Sequence, residues 1–154
     1  MNIDEKFMRE ALKEARKAFD IGEVPIGAVI VRDNKIIARA YNEKELKQDV
    51  TKHAEIMVIQ KASKKLKNWR LNDYTIYVTL KPCSMCEGAI IQSRIKNIVI
   101  GTDYEQLGAV ESHLNCNNKI GEYINIKIGV METECREILK DFFNSVRKNK
   151  NIKL

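Results

Sequence analysis

Four side chains carry the chemistry that this sequence can do: His53 and Glu55 in His53-Ala54-Glu55, and Cys83 and Cys86 in Pro82-Cys83-Ser84-Met85-Cys86. An imidazole and two thiolates make a zinc-binding set. Three protein ligands leave the fourth tetrahedral position to water, the arrangement of a catalytic rather than a structural zinc site. Zinc lowers the pKa of such a water to about 7, and Glu55, which is not needed as a ligand, is the residue to take its proton. A carboxyl that takes this proton can return it to the substrate, so one acid beside the metal can serve a whole hydrolytic cycle.

The spacing dictates how the backbone must hold these groups. Residues two apart on a helix point roughly 200° away from each other, so His53 and Glu55 can converge only at a helix beginning. Cys83 and Cys86, three apart, share a face of the first turn of another helix. Free N–H groups and the positive dipole end at such a place stabilise thiolates. Two helix beginnings are therefore expected to face one ion. Either half alone has ordinary uses, a His at a helix start as a cap or surface residue and a Cys-x-x-Cys in several settings. The two halves together, thirty residues apart and each at a helix start, are the known signature of zinc deaminases of nucleobases.

The elements that must do this positioning are legible from periodicity. Apolar residues from Asp4 to Phe19 recur at three- and four-residue intervals, predicting an amphipathic helix ended by Gly22. Val24 to Val31, entered through Pro25, and Lys35 to Ala40 predict a hairpin around Asp33-Asn34. Tyr41 to Thr51 reads as a polar loop. A helix follows from His53 to Leu66, with Thr51 as its expected cap. Thr75 to Leu80 predicts a strand, and Pro82 is expected in the first turn of a helix running to Ser93. Strands at Ile95 to Gly101 and Ile124 to Ile128 and a helix from Glu132 to Arg147 complete the chain. Strands alternating with helices predict a three-layer α/β/α sandwich, its sheet largely parallel after the opening hairpin. Strand order does not follow from the pattern.

At 154 residues and 44% hydrophobic, the chain reads as a single domain spanning 1–154 with a core that needs no disulfides. A charged N-terminus without an apolar run, and no later stretch long enough to span a bilayer, predict a cytoplasmic protein. The net charge of +6 favours a polyanionic partner. Arg147, Lys148, Lys150 and Lys153 form a basic tail without an acid among them, an expected phosphate contact.

Over nearly its whole length the chain resembles the bacterial tRNA adenosine deaminases of the cytidine deaminase-like superfamily. The likeness runs through Gly22-Glu-Val-Pro-Ile-Gly-Ala-Val, Asn42, His53-Ala-Glu-Ile, Asn68-Trp-Arg-Leu, Tyr77-Val-Thr-Leu, Met85-Cys-Glu-Gly-Ala-Ile, Ser93-Arg-Ile, Glu134-Cys135, Asp141-Phe-Phe and Arg147. The resemblance implies a five-stranded mixed sheet between helices, one zinc ion per subunit, a homodimer, and hydrolysis of adenosine to inosine at the wobble position (A34) of a tRNA anticodon loop. It also implies that Asn42 contacts the flipped base, and that Phe143 and Arg147 hold the anticodon stem-loop. The chain departs from the family pattern at Lys81, where Glu is usual before Pro-Cys, and at Tyr104, where an acid near the substrate ribose is usual. Gln106, Glu111 and the Glu122-Tyr123 segment also differ. Tyr104 predicts looser discrimination against a missing 2′-hydroxyl.

Two rival functions share these residues. A relative that deaminates a free base or nucleoside, of guanine or cytosine type, would use identical chemistry. A zinc-stabilised RNA-binding module without catalysis would need a fourth protein ligand, which only Cys116 or Cys135 could supply among the cysteines.

Overall fold

The computed structural model describes residues 2–104 and 124–153. Helix α1 (Ile3–Asp20) is followed by strands β1 (Gly27–Arg32) and β2 (Lys35–Tyr41), a short helix α2 (Lys44–Lys47) and helix α3 (Ala54–Leu66). Then come β3 (Thr75–Leu80), α4 (Ser84–Gln92), β4 (Asn97–Thr102), β5 (Asn125–Ile128) and α5 (Glu132–Lys153). The five strands form one sheet in the order β2-β1-β3-β4-β5. β1 pairs antiparallel with both β2 and β3, while β3, β4 and β5 are parallel. The expected parallel half is present, but it joins the hairpin through an antiparallel seam that periodicity did not indicate.

The central strands are apolar on both faces, as strands covered by helices on two sides must be. Ala28, Ile30, Ile76, Val78, Ile98 and Ile100 face one core, with Ala54, Val58 and Ala62 of α3 and Ile90 of α4. The intervening Val29, Val31, Tyr77 and Val99 face the other, against Phe7, Met8 and Ala11 of α1 and Cys135 of α5. This two-residue alternation sets three layers, with α3 and α4 together on one face. Two glycines let helices approach closely. A Cβ on Gly27 would run into the Ala11 carbonyl and Ala15 amide of α1, and one on Gly101 would strike the Cys135 side chain of α5.

Turn chemistry fixes the connections. Asp33 and Asn34, at φ 51° and 60°, make the two-residue left-handed turn that matches hairpin twist. At the end of α1, Gly22 takes φ +82°, its amide donates to the Phe19 carbonyl at 3.0 Å, and that of Glu23 donates to Ala18 at 2.9 Å. This paired closure satisfies two terminal carbonyls. It also determines where Glu23 goes.

Four sequence expectations are corrected. α2 lies inside the segment read as loop, too short for periodicity to reveal. α3 begins at Ala54 with His53 as its N-cap, because the Thr51 hydroxyl is held at 2.6 Å by Asp49 instead of capping the helix. Pro82 precedes the N-cap Cys83 and so stands before the first turn of α4, not in it. α5 runs beyond Arg147 to Lys153.

Candidate metal centre

Strand direction brings the four predicted side chains together. β2 and β3 both run opposite to β1, so they end at the same end of the sheet. α3 follows the first and α4 shortly follows the second, both over the same face. Their N-termini therefore converge.

His53 and Cys83 occupy the two N-cap positions in extended backbone conformation, and neither side chain caps its own helix. They turn toward each other instead. His53 Nδ1 lies 3.5 Å from Cys83 Sγ and 3.4 Å from Cys86 Sγ. A tetrahedral ion with bonds of about 2.05 Å to nitrogen and about 2.3 Å to sulfur would set these atoms about 3.6 Å apart. The donor set therefore fits zinc in both identity and spacing. Among the described residues, the metal-ligating atoms that come within 4.8 Å of one another here are those of His53, Cys83 and Cys86. Cys135 is buried under α5 against Gly101 and supplies no fourth ligand, and Cys116 lies outside the described residues.

Electrostatics separate the roles. The Cys83 thiol is held down to about 4 by the hydrogen bond from the Cys86 thiol and by His53, against the effect of burial. Cys86, which donates that hydrogen bond and is deeper, is pushed up for the same reason. The pair shares a proton that a cation would displace. Burial lifts the Glu55 carboxyl to about 7, against the opposing hydrogen bond from its own backbone. Its Oε1 is buried without a hydrogen-bond partner among the described residues. A buried carboxylate oxygen without a donor among the described residues is the geometry expected of a group that handles a substrate or water proton.

Glu23, which sequence reasoning did not single out, organises the segment that leads into His53. It is 2% exposed. Its carboxylate accepts from the Glu45 amide at 3.1 Å and the Leu46 amide at 2.6 Å, capping α2 from a distant part of the chain. The neighbouring Val24 carbonyl accepts from Asn42 Nδ2 at 3.3 Å, and Asn42 Oδ1 accepts from the Lys44 amide at 3.2 Å. The Glu43 amide then reaches the Lys52 carbonyl at 3.0 Å, closing the loop just before His53. The signal for Glu23 was an acid directly after the helix-ending Gly22, which the closure turns inward.

The other predicted residues are not among the clustered ligand atoms. Phe143 stacks on Tyr104 at 6.5 Å with planes 6° apart, and Tyr104 is buried beneath α5. Arg147 is exposed and donates to Asn144 at 3.0 Å. Lys81, the charge reversal before Pro82, faces Asp103 at 3.8 Å across the ends of β3 and β4, which balances the change locally. Gln106, Glu111, Glu122 and Tyr123 lie outside the described residues.

The MafB19-like deaminase family matches residues 2–147. The tRNA-specific adenosine deaminase of Bacillus subtilis (strain 168) is 44% identical over 152 residues, covering 97% of this chain and 94% of that protein. A solved structure from work on A-to-I editing by tRNA:A34 deaminases at the wobble position of transfer RNA superposes with a TM-score of 0.78 and 43% identity, covering 87% of this chain and 99% of that one. The guanine deaminase of Nitrosomonas europaea, at TM-score 0.80 and 20% identity over 90% of this chain and 83% of that one, shares the fold.

Proposed function

The chain belongs to the MafB19-like deaminases and to the bacterial tRNA-specific adenosine deaminases, and from that premise we propose that it hydrolyses adenosine to inosine and ammonia at wobble position 34 of a tRNA anticodon loop. The convergence of His53 Nδ1, Cys83 Sγ and Cys86 Sγ beside Glu55 Oε1, which has no hydrogen-bond partner among the described residues, carries the reading. One zinc ion per subunit on those three atoms, with an open fourth position, would supply an acidified water. Glu55 takes a proton from the attacking water, passes it to the ring nitrogen, and delivers the second to the departing amine. A carboxyl near 7 suits both directions of transfer at neutral pH.

Asn42, buried at the mouth of the loop that returns to His53, is assigned to the flipped base. Phe143, backed by Tyr104, and Arg147, exposed on α5, are assigned to the anticodon stem-loop. The single domain of 1–154 acts as a homodimer, a reading supported by partly exposed Met85, Ala89 and Ile91 on α4. A bacterial tRNA substrate supports a cytoplasmic enzyme, and no helix among the described residues is long and apolar enough to cross a membrane.

The test is incubation of zinc-loaded protein with an A34-containing anticodon hairpin, scored for inosine. Glu55→Ala is expected to lower kcat by roughly 10²- to 10⁴-fold while zinc content stays the same. Retained activity in that variant would remove Glu55 from the mechanism.

A further inference from the structure

Two motifs remain that the metal site does not use: Asn68-Trp69-Arg70-Leu71 after α3 and Ser93-Arg94-Ile95 after α4. The fold joins them. The Leu71 amide donates to the Ser93 carbonyl at 2.8 Å, and Leu71 and Ile95 are buried. What stays outside is Trp69, 49% exposed, with the Arg70 guanidinium 4.3 Å and that of Arg94 5.9 Å from its ring centroid.

The surroundings are cationic. No Asp or Glu occurs in residues 56–72 or 88–102. Lys67, Arg70, Arg94 and Lys96 are exposed and join no ion pair among the described residues. Lys67 and Arg94 sit at φ 53° and 70°, left-handed positions where glycine or asparagine costs less. Helix dipoles favour cations in a last turn, which accounts for Lys64 and Lys65. That effect gives no reason for an exposed indole beside two guanidiniums. An aromatic ring amid unpaired cations is instead the combination that binds single-stranded bases and phosphates.

We propose that this Trp69–Arg70–Arg94 surface is a second RNA-binding site, which takes the sugar–phosphate backbone of the substrate tRNA outside its anticodon arm. The assignment rests on the tRNA reading above. α3 runs from the metal ligands at its start to this surface at its end, a separation of about 20 Å for its 13 residues. An intact tRNA carries far more sugar–phosphate backbone than an anticodon hairpin with which to reach a surface at that distance.

The experiment compares intact tRNA with the isolated anticodon hairpin, using wild type, Arg70→Gln/Arg94→Gln and Trp69→Ala. For intact tRNA, KM should rise about tenfold in the double variant, and the slope of log affinity against log salt should flatten by about one to two. The hairpin should be turned over as by wild type. An unchanged KM for tRNA would overturn the proposal, as would equal losses on both RNAs. A change of oligomeric state in Trp69→Ala, seen by sedimentation, would assign the surface to a second copy of the chain instead. Wild type inactive on either RNA would count against the proposed function, a result distinct from all of these.

Discussion

Glu55 and Asp4 are carboxylates at opposite ends of the same sheet, and burial has opposite outcomes for them. Glu55 lies where β2 and β3 end, its carboxyl raised to about 7 and one oxygen without a partner among the described residues. Asp4 lies where β3, β4 and β5 begin, beside Thr75, Asn97 and Asn125. It accepts from Tyr77 Oη at 2.8 Å and pairs with Lys127 at 2.6 Å. Burial opposes its ionisation too, but those two partners outweigh it and hold the pKa below the ordinary value. Linkage gives the pair opposite signs: at neutral pH the ionised Asp4 adds stability and the ionised Glu55 subtracts it. The fold gives the half-buried Asp4 two compensating partners and leaves Glu55, beside the candidate ligands, with one oxygen that has none among the described residues.

Removing a ligand should break the chemical end most completely. Cys83→Ser is expected to abolish stoichiometric zinc binding, measured by metal analysis after dialysis, and to bring deamination to the uncatalysed background. Zinc should raise the Tm of wild type, since a ligand at about 1,000 times its Kd adds about 4 kcal/mol, and should leave the variant's Tm where it was. Full zinc occupancy in Cys83→Ser would separate Cys83 from the metal centre and leave only two of the expected ligands.

A smaller effect should follow from loosening the segment that leads into His53. Glu23→Gln keeps the shape but weakens two charge-assisted hydrogen bonds to α2, at a cost of about 1–3 kcal/mol in stability. Because the same loop carries Asn42 and returns to His53, kcat/KM should fall roughly tenfold with zinc content unchanged. Lost stability with unchanged kcat/KM would show that α2 is held for the fold alone, and the contrast between the two ends would shrink to the ligands and Glu55.

Glu23 also marks the boundary of what sequence could reveal. His53, Glu55, Cys83 and Cys86 were legible because helical geometry restricts where residues two and three apart can meet. Glu23 was not, since its partners are the amides of a helix of four residues, too short to have a period, reached from a different part of the chain. The same reason hid the antiparallel seam between β1 and β3, which depends on pairing and not on local pattern. Thr51 misled because a cap preference is local and Asp49 competes for the same hydroxyl. Gly27 and Gly101 show what composition conceals: each is required by a helix that packs against it from elsewhere in the chain.

The smallest effect belongs to the compensated end. Asp4→Asn removes the charge but can keep a hydrogen bond to Tyr77, so at about pH 7 it should cost on the order of 1 kcal/mol or less. The sign follows from the lowered folded pKa. Asp4's contribution is present above the unfolded value near 3.8, and it is lost as the pH falls through the folded value below that. Urea unfolding of wild type and Asp4→Asn should therefore differ near neutrality and converge in acid, with the neutral difference reduced by salt because Lys127 is largely exposed. A gap that widened on acidification would mean that Asp4 resembles Glu55 in carrying an uncompensated charge, and the two ends of the sheet would no longer differ in kind.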